Sequence, residues 1–211
     1  MTADHYFTAE PSSAGGERRT VAFTVLDREF TLAAAGGVFS PGRLDPGTAV
    51  LLHKAPLPDG DAVGPLLDLG CGYGPIAVVL AAAAPGATVY AVDVNQRALE
   101  LTRQNTAGTK VVAATPDEVP PEVRFAQIWS NPPIRVGKEE LHALLTRWLP
   151  RLLPDGVAWL VVARHLGGDS LQKWLVERGW EVARHASQKG YRVFQVRRPP
   201  GTGEDVTSWA M

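Results

Sequence analysis

The sequence predicts an α/β fold: an open, mostly parallel sheet with helices on both faces, preceded by a small hairpin and helix extension. Three observations carry this reading. From Leu66 onward, strand-like and helix-like patterns alternate, which is how strands joined by crossover helices read. Residues 65–75, PLLDLGCGYGP, open that alternation with an apolar run that ends in glycines at every second position, as does a buried strand feeding a tight loop and a helix. Residues 157–162 form a continuous apolar run, the pattern of a strand covered on both faces.

The extension spans residues 1–60. Residues 21–25 and 29–32 read as a hairpin around Asp27-Arg28, and Gly36-Gly37 then breaks the chain. Asp45 can cap a helix with Pro46 at its first position, carrying Leu51 and Leu52 and ending before Pro56. Residues 56–64 form a short linker rich in Pro, Gly and Asp.

In the main domain, residues 61–198, the first strand covers 66–69 and a helix over 76–84 stops at Pro85-Gly86. A strand over 88–92 ends at Asp93, and a helix over 95–105 is capped by Asn95. Strands follow at 111–114 and 125–129. Residues 139–149 carry Leu141, Leu144, Leu145, Trp148 and Leu149 at helical spacing. Residues 154–156 read as a turn, 157–162 as a strand and 169–178 as a helix. Two last strands, 180–183 and 191–196, are joined through 187–190, and 199–211 have the polar look of a frayed tail.

Composition narrows the function classes. With 211 residues, 45% hydrophobic and 20% charged, the chain can bury a substantial core. A formal net charge of −1 argues against nucleic-acid binding by bulk electrostatics and leaves room for a local basic face. No run of 18 apolar residues occurs, and Thr2, Asp4 and His5 do not make a secretory signal, so no membrane is implied and a cytoplasmic location is expected. The single cysteine, Cys71, excludes an internal disulfide and reads as a small buried residue, not a nucleophile. The five histidines form no ligand-spaced cluster, so no metal is implied.

The glycine loop is the first place where chemistry can sit. Glycines let backbone approach a ligand, and Pro75 suits a first helical turn because its missing N–H would have no partner there. A dinucleotide fingerprint is Gly-x-Gly-x-x-Gly; here Gly70, Gly72 and Gly74 follow Gly-x-Gly-x-Gly, with Asp68 inside the strand. A carboxylate beside the loop suits a cationic amino-acid moiety and repels a pyrophosphate. Asp93 ends the second strand of the sheet, where an acid accepts two ribose hydroxyls side by side. Nicotinamide enzymes share that acid, so it does not choose the cofactor.

Ser130-Asn131-Pro132-Pro133-Ile134 follows the fourth strand of the sheet, at the carboxyl end where open α/β sheets bind ligands. An amine conjugated to a ring or carbonyl is a poor nucleophile, because its lone pair is delocalised until acceptors hold its N–H groups in pyramidal geometry. The Asn131 side-chain oxygen and the Pro132 carbonyl can be those acceptors. Pro133 biases Pro132 toward extended backbone.

The loop resembles motif I of the class I S-adenosylmethionine (SAM) methyltransferases, and Asn-Pro-Pro resembles motif IV of those that modify amino groups. The likeness extends to His5-Tyr6-Phe7, Gly37-Val38-Phe39-Ser40, Leu44-Asp45-x-Gly47-Thr48, Asp93-Val94-Asn95, residues 130–138 and Lys189-Gly190-Tyr191. Taken together, these segments resemble the small-domain methyltransferase family that includes the RsmC-type 16S rRNA guanine-N2 methyltransferases, in its short single-domain Gram-positive form.

That resemblance implies a Rossmann-like seven-stranded sheet, SAM as cofactor, and a guanine of 16S rRNA, within the small ribosomal subunit, as substrate of a monomeric enzyme. It implies that Phe39 and the segment from Leu44 to Thr48 border the SAM pocket. The segment from Asp68 to Gly74, with Gly70, Cys71 and Gly72 in it, would surround the methionine end, Asp93 would meet the ribose with Val94 beside it, and Asn131 would touch both cofactor and substrate. Asn131, Pro132, Pro133 and Ile134 would form the catalytic segment. Arg135, Lys138 and Tyr191 would contact substrate, with Arg164, His165, Lys189 and Arg192 as further candidates for phosphate contact on the same rim.

Two departures stand out. Ile134 occupies a place where many amino methyltransferases carry an aromatic that stacks the base, so stacking is either weaker or falls to Phe39 or Tyr191, and the usual acid near adenine is missing from its common place, with Asp117 as the candidate to replace it. The alternatives are a methyltransferase for adenine N6 or a release-factor glutamine, a nicotinamide-dependent oxidoreductase, and a catalytically silent RNA-binding module.

Overall fold

The computed structural model describes residues 19–25, 27–35, 43–62, 64–132 and 137–199. β1 (Arg19–Val25) and β2 (Arg28–Ala34) form an antiparallel hairpin with Val25 opposite Arg28. The chain reverses at Asp27, whose φ of 56° lies in a region Asp tolerates better than most residues. Val21, Leu32 and Ala34 point inward onto Tyr73, Ala98 and Leu101. Asn105 fixes that seat: it accepts from the Ala33 N–H and donates to the carbonyls of Ala33 and Tyr73, each at 2.8 Å.

β3 (Leu66–Leu69), β4 (Val89–Val92), β5 (Val111–Ala114), β6 (Phe125–Ser130), β7 (Leu152–Ala163), β8 (Glu181–Gln188) and β9 (Tyr191–Arg197) make one seven-stranded sheet in the order β5-β4-β3-β6-β7-β9-β8. The first five strands are parallel, and β9 is antiparallel to both its neighbours. The chain runs outward from β3 to β5 and then crosses to β6 on the other side of β3. This switch opens a crevice beyond the carboxyl ends of β3 and β6, the place where such sheets bind ligands.

The helices are α1 (Pro46–Lys54), α2 (Pro75–Ala83), α3 (Gln96–Asn105), α4 (Lys138–Trp148) and α5 (Gly168–Glu177). Leu51, Leu80 and Leu99 from α1, α2 and α3 pack with Val89, Trp129 and Trp159 on one face of the sheet. Leu145 and Leu171 from α4 and α5 pack with Leu67, Phe125 and Phe194 on the other. Consecutive strand residues alternate between these two cores, so β3 is buried along its whole length. The extension helix α1 lies over β7 and β9. No helix among the described residues is long and apolar enough to cross a membrane.

Two sequence expectations need correction. Residues 154–156, expected as a turn, fall within the span of β7, where its pairing with β6 jumps from Phe125 opposite Leu152 to Gln127 opposite Val157. The surplus residues bulge out without ending the strand. β8 runs to Gln188, past its expected end at residue 183, and the connection to β9 tightens to Lys189-Gly190 with φ of 50° and 81°. Beyond residue 183 this edge strand is largely exposed and polar, so no apolar alternation marks its continuation; pairing with β9 defines it.

Candidate active site

Gly70, Gly72 and Gly74 all have positive φ. At Gly74 the reason is double, since a Cβ would also stand 3.0 Å from Thr102 Oγ1. The loop is held from beneath. The N–H groups of Gly70 and Cys71 donate to the Val92 carbonyl at 2.8 and 3.0 Å, Thr102 Oγ1 donates to the Gly72 carbonyl at 2.9 Å, and the Gly72 N–H donates to Asp93 Oδ2 at 2.9 Å. Ser130 Oγ donates to the Leu69 carbonyl at 2.7 Å, which ties the carboxyl ends of β3 and β6 together.

α2 begins at left-handed Gly74, which offers no side-chain cap. Asp68 supplies one across space: its Oδ2 accepts from the Ala77 N–H at 2.9 Å, one of the orphan donors of a first turn. Asp68 is fully buried and its Oδ1 has no partner. Burial, opposed by the Ala77 hydrogen bond and aided by the Asp93 charge, pushes its carboxyl up to about 8. Asp93, also raised by burial, has both oxygens engaged by backbone, Oδ2 with Gly72 and Oδ1 with the Asn95 N–H at 2.9 Å. Two buried acids beneath a glycine loop disfavour a diphosphate and suit a ligand that carries a cation. The orphaned Asp68 Oδ1 can meet a SAM amino group, whose positive charge would draw the carboxyl back toward its ionised form.

The reactive segment meets the extension here. Asp45 caps α1, its Oδ1 accepting from the Thr48 N–H at 2.9 Å. Asn131, 86 residues away, donates through Nδ2 to that same oxygen at 2.6 Å and to Thr48 Oγ1 at 3.0 Å. Gly47 permits the approach: a Cβ there would lie 2.9 Å from Tyr191 Cε1, 3.0 Å from Asp45 Oδ1 and 3.2 Å from Asn131 Nδ2. A cleft results, lined by Asp45, Thr48, Gly70, Cys71, Gly72, Tyr73, Pro75, Ile76 and Asn131.

Of the residues expected at the site, the cleft gathers Thr48, Gly70, Cys71, Gly72 and Asn131. Asp68, Gly74 and Asp93 support it from behind, and Val94 follows Asp93 in the turn into α3. Tyr191 packs against the first turn of α1 beside Asn131. Pro132 is buried, and Lys138 is exposed at the start of α4. Phe39, Pro133, Ile134 and Arg135 lie outside the described residues. Burial and the charges of Asp93 and Asp68 push the Cys71 thiol up, which keeps it unreactive.

Asp117 and Arg192 differ from expectation. Asp117 forms an exposed ion pair with Arg147 at 2.7 Å and does not line the cleft. Arg192 is paired with Asp169, an exposed carboxylate that it shares with Arg184, so part of its charge is screened. Arg164, His165 and Lys189 remain exposed, and the Arg164 N–H donates to the Gly190 carbonyl at 2.8 Å, which sets the turn after β7 beside the β8–β9 turn.

Asp45 and Tyr73, which lie inside the segments 44–48 and 68–74 expected to border the cofactor, also line the cleft, although neither was singled out. Nothing in the sequence marked the contact of Asp45 with Asn131. Tyr73 is 2% exposed, its hydroxyl has no partner, and burial with the Asp45 charge pushes it up to about 12, so it stays a hydrogen-bond donor at the cleft wall.

Comparison with known proteins agrees with this geometry. The model of the methyltransferase small domain matches residues 29–195. The uncharacterized protein YbxB of Bacillus subtilis (strain 168) is 33% identical over 202 residues, covering 93% of this chain and 99% of its own. The ribosomal RNA small subunit methyltransferase C of Pseudomonas aeruginosa (strain UCBPP-PA14) is 34% identical over 82% of this chain and 53% of its own; this chain thus spans about half the length of that relative. Among solved structures, the Thermus thermophilus 16S rRNA N2 G1207 methyltransferase RsmC, in complex with AdoMet and guanosine, superposes with a TM-score of 0.72 at 24% identity, over 90% of this chain and 52% of its own, a likeness of fold. With a family model spanning most of the sequence and a full-length relative at one third identity, this chain belongs to the methyltransferase small domain family.

Proposed function

We propose that the protein is a SAM-dependent methyltransferase acting on the exocyclic N2 amine of a guanine in 16S rRNA. One observation carries this: a single cleft holds both the glycine loop, with its buried acids, and the side chain of Asn131. A cationic cofactor and an amine substrate thereby face each other across one wall of the sheet. Relatives named as small-subunit rRNA methyltransferases support the substrate class, and the T. thermophilus protein of the same fold is described as a G1207 N2 methyltransferase.

When bound, SAM supplies a methyl group on a sulfonium, open to in-line attack. The chain's own residues do the rest. The loop of Gly70, Cys71 and Gly72 and the acids Asp68 and Asp93 seat the cofactor. Asn131 Oδ1 and the Pro132 carbonyl accept the two N–H groups of the guanine amine, withdrawing its lone pair from the ring and aiming it at the methyl carbon. The amine would become cationic as the C–N bond forms at the expense of the methyl–sulfur bond, which leaves a neutral thioether, and it would then lose one proton to solvent. Positioning and preorganised acceptors supply the acceleration.

Tyr191 takes the base-stacking role that Ile134 cannot fill. Lys138, Arg164, His165 and Lys189 meet phosphates of a substrate already shaped in the small subunit, and the enzyme works as a cytoplasmic monomer without a metal. The test is methyl transfer from labelled SAM to small subunits that lack the modification, followed by mapping of the labelled nucleotide. Label on a guanine N2 of 16S rRNA is expected. Label on adenine, on a protein glutamine, or nowhere overturns the proposal.

A further inference from the structure

We propose that Asp45 is a positioning residue for Asn131, deciding which end of its amide faces the reacting amine; this rests on the methyltransferase reading above. An asparagine amide is a donor at one end and an acceptor at the other, and only the acceptor can hold a substrate N–H. The two ends have nearly the same shape, so the surroundings must choose between them. An ionised carboxylate only accepts. With Asp45 Oδ1 at 2.6 Å from Asn131 Nδ2, the flipped amide would set two oxygens against each other at that distance. Thr48 Oγ1 takes the second N–H at 3.0 Å. Both donors of the amide are consumed, and the Asn131 side chain forms no other hydrogen bond among the described residues. Its remaining capacity is the acceptor oxygen, turned away from Asp45.

Asp45 can impose this because it is itself fixed. It is 7% exposed, its Oδ1 also accepts from the Thr48 N–H at 2.9 Å, and its carbonyl accepts from the Ala49 N–H at 2.8 Å. The cap of an extension helix thus doubles as the device that orients a group just past the end of β6. A helix cap alone would explain an Asp, Asn, Ser or Thr at this position equally; the contact to Asn131 asks for a side chain that caps and still reaches beyond.

Asp45→Ser and Asp45→Asn separate the two roles. Serine preserves the cap but its hydroxyl is too short to hold Asn131 as well. Asparagine keeps the acceptor pinned by the Thr48 N–H and removes the charge. Once released, the Asn131 side chain can visit three χ1 wells and two amide faces, about six states of which one is productive. Asp45→Ser should therefore lose about sixfold or more in kcat, with KM for SAM and melting temperature little changed, and Asp45→Asn should restore most of the loss. The Asn131 side-chain NH2 signals in 15N NMR, assigned through Asn131→Ala, give a readout that needs no substrate. They should be hydrogen-bonded and slow to exchange in wild type and Asp45→Asn, and averaged in Asp45→Ser. Wild-type kcat or wild-type NH2 signals in Asp45→Ser overturn the proposal. So does a loss in Asp45→Asn as deep as in Asp45→Ser, which would assign the role to the charge itself. If no protein transfers methyl to guanine, the function proposed above fails, while the NMR comparison still decides what orients the amide.

Discussion

Replacing Gly47 with alanine sets two effects of opposite sign against each other. Gly47 is the second residue of α1 and does not have positive φ, so the helix itself gains about 0.5 to 1 kcal/mol from Ala. The new methyl, however, would sit 2.9 Å from Tyr191 Cε1 and within 3.0 to 3.2 Å of Asp45 Oδ1 and Asn131 Nδ2. Ordinary contact requires roughly 3.4 Å or more, so the tightest neighbour must retreat by about 0.5 Å, and overpacking of this size costs about 1 to 3 kcal/mol. The balance is a net loss between about zero and 2.5 kcal/mol. At roughly 2 to 4 °C per kcal/mol for a chain of this size, the melting temperature falls by no more than about 10 °C. Turnover responds more sharply. A misplacement of about 1 Å can cost about a hundredfold, so half of that displacement at Asn131 should cost about tenfold. The assay is single-turnover methyl transfer, with S-adenosylhomocysteine affinity measured by calorimetry on the same samples. Affinity should change less than turnover, because the glycine loop from β3 is not touched by Gly47. Turnover within about twofold of wild type in a folded variant would refute the idea that α1 sets the place of Asn131.

The remaining expectations concern the two acids, the reactive amide and the substrate. The Asp68 carboxyl is raised in the folded chain from 3.8 to about 8, so the contribution it makes is fully present below about pH 4 and lost as pH rises through about 8. Asp68→Asn keeps an acceptor for the Ala77 N–H and removes that loss. The melting temperature of the ligand-free variant should therefore gain on wild type steadily between pH 5 and 8, and a difference that stays flat with pH would refute the assignment. The same variant should bind S-adenosylhomocysteine more weakly, since the buried partner of its ammonium is gone. Asn131→Ala should lower kcat by a hundredfold or more, by analogy with the ~2.7 to 4 kcal/mol cost of deleting one preorganised hydrogen-bonding group, with cofactor affinity nearly intact; a loss under threefold removes Asn131 from the chemistry. With Arg192 sharing Asp169 with Arg184, the described rim offers only a few cations, so log affinity for rRNA should fall with log salt by about two to four contacts' worth. Initial rates should be far higher on assembled subunits than on protein-free rRNA, and equal rates with a steep salt slope would contradict this.

What the sequence determined by itself is what local chemistry can specify. The apolar run of β3, the positive-φ glycines after it, the proline at the head of α2 and the Asn95 cap of α3 each act within a few residues, and each element formed close to where those signals placed it. Asn131 was legible because a strand end followed by two prolines leaves few other readings. The tertiary structure decided what depended on residues distant in sequence. The second half of β8 lies in a polar stretch that carries no strand signal, and it extends to Gln188 through its pairing with β9. Asp68, which its spacing marked as a ligand partner, also caps α2 through Ala77, nine residues on. Asp45 was legible as a helix cap within a segment expected to border the cofactor, and not as a partner of Asn131. Its place beside Asn131 arises because α1 lies over β7 and β9, where Gly47 leaves room for the two side chains to meet across 86 residues. No pattern in either segment encodes that meeting; it follows from how the extension buries its apolar face on the sheet.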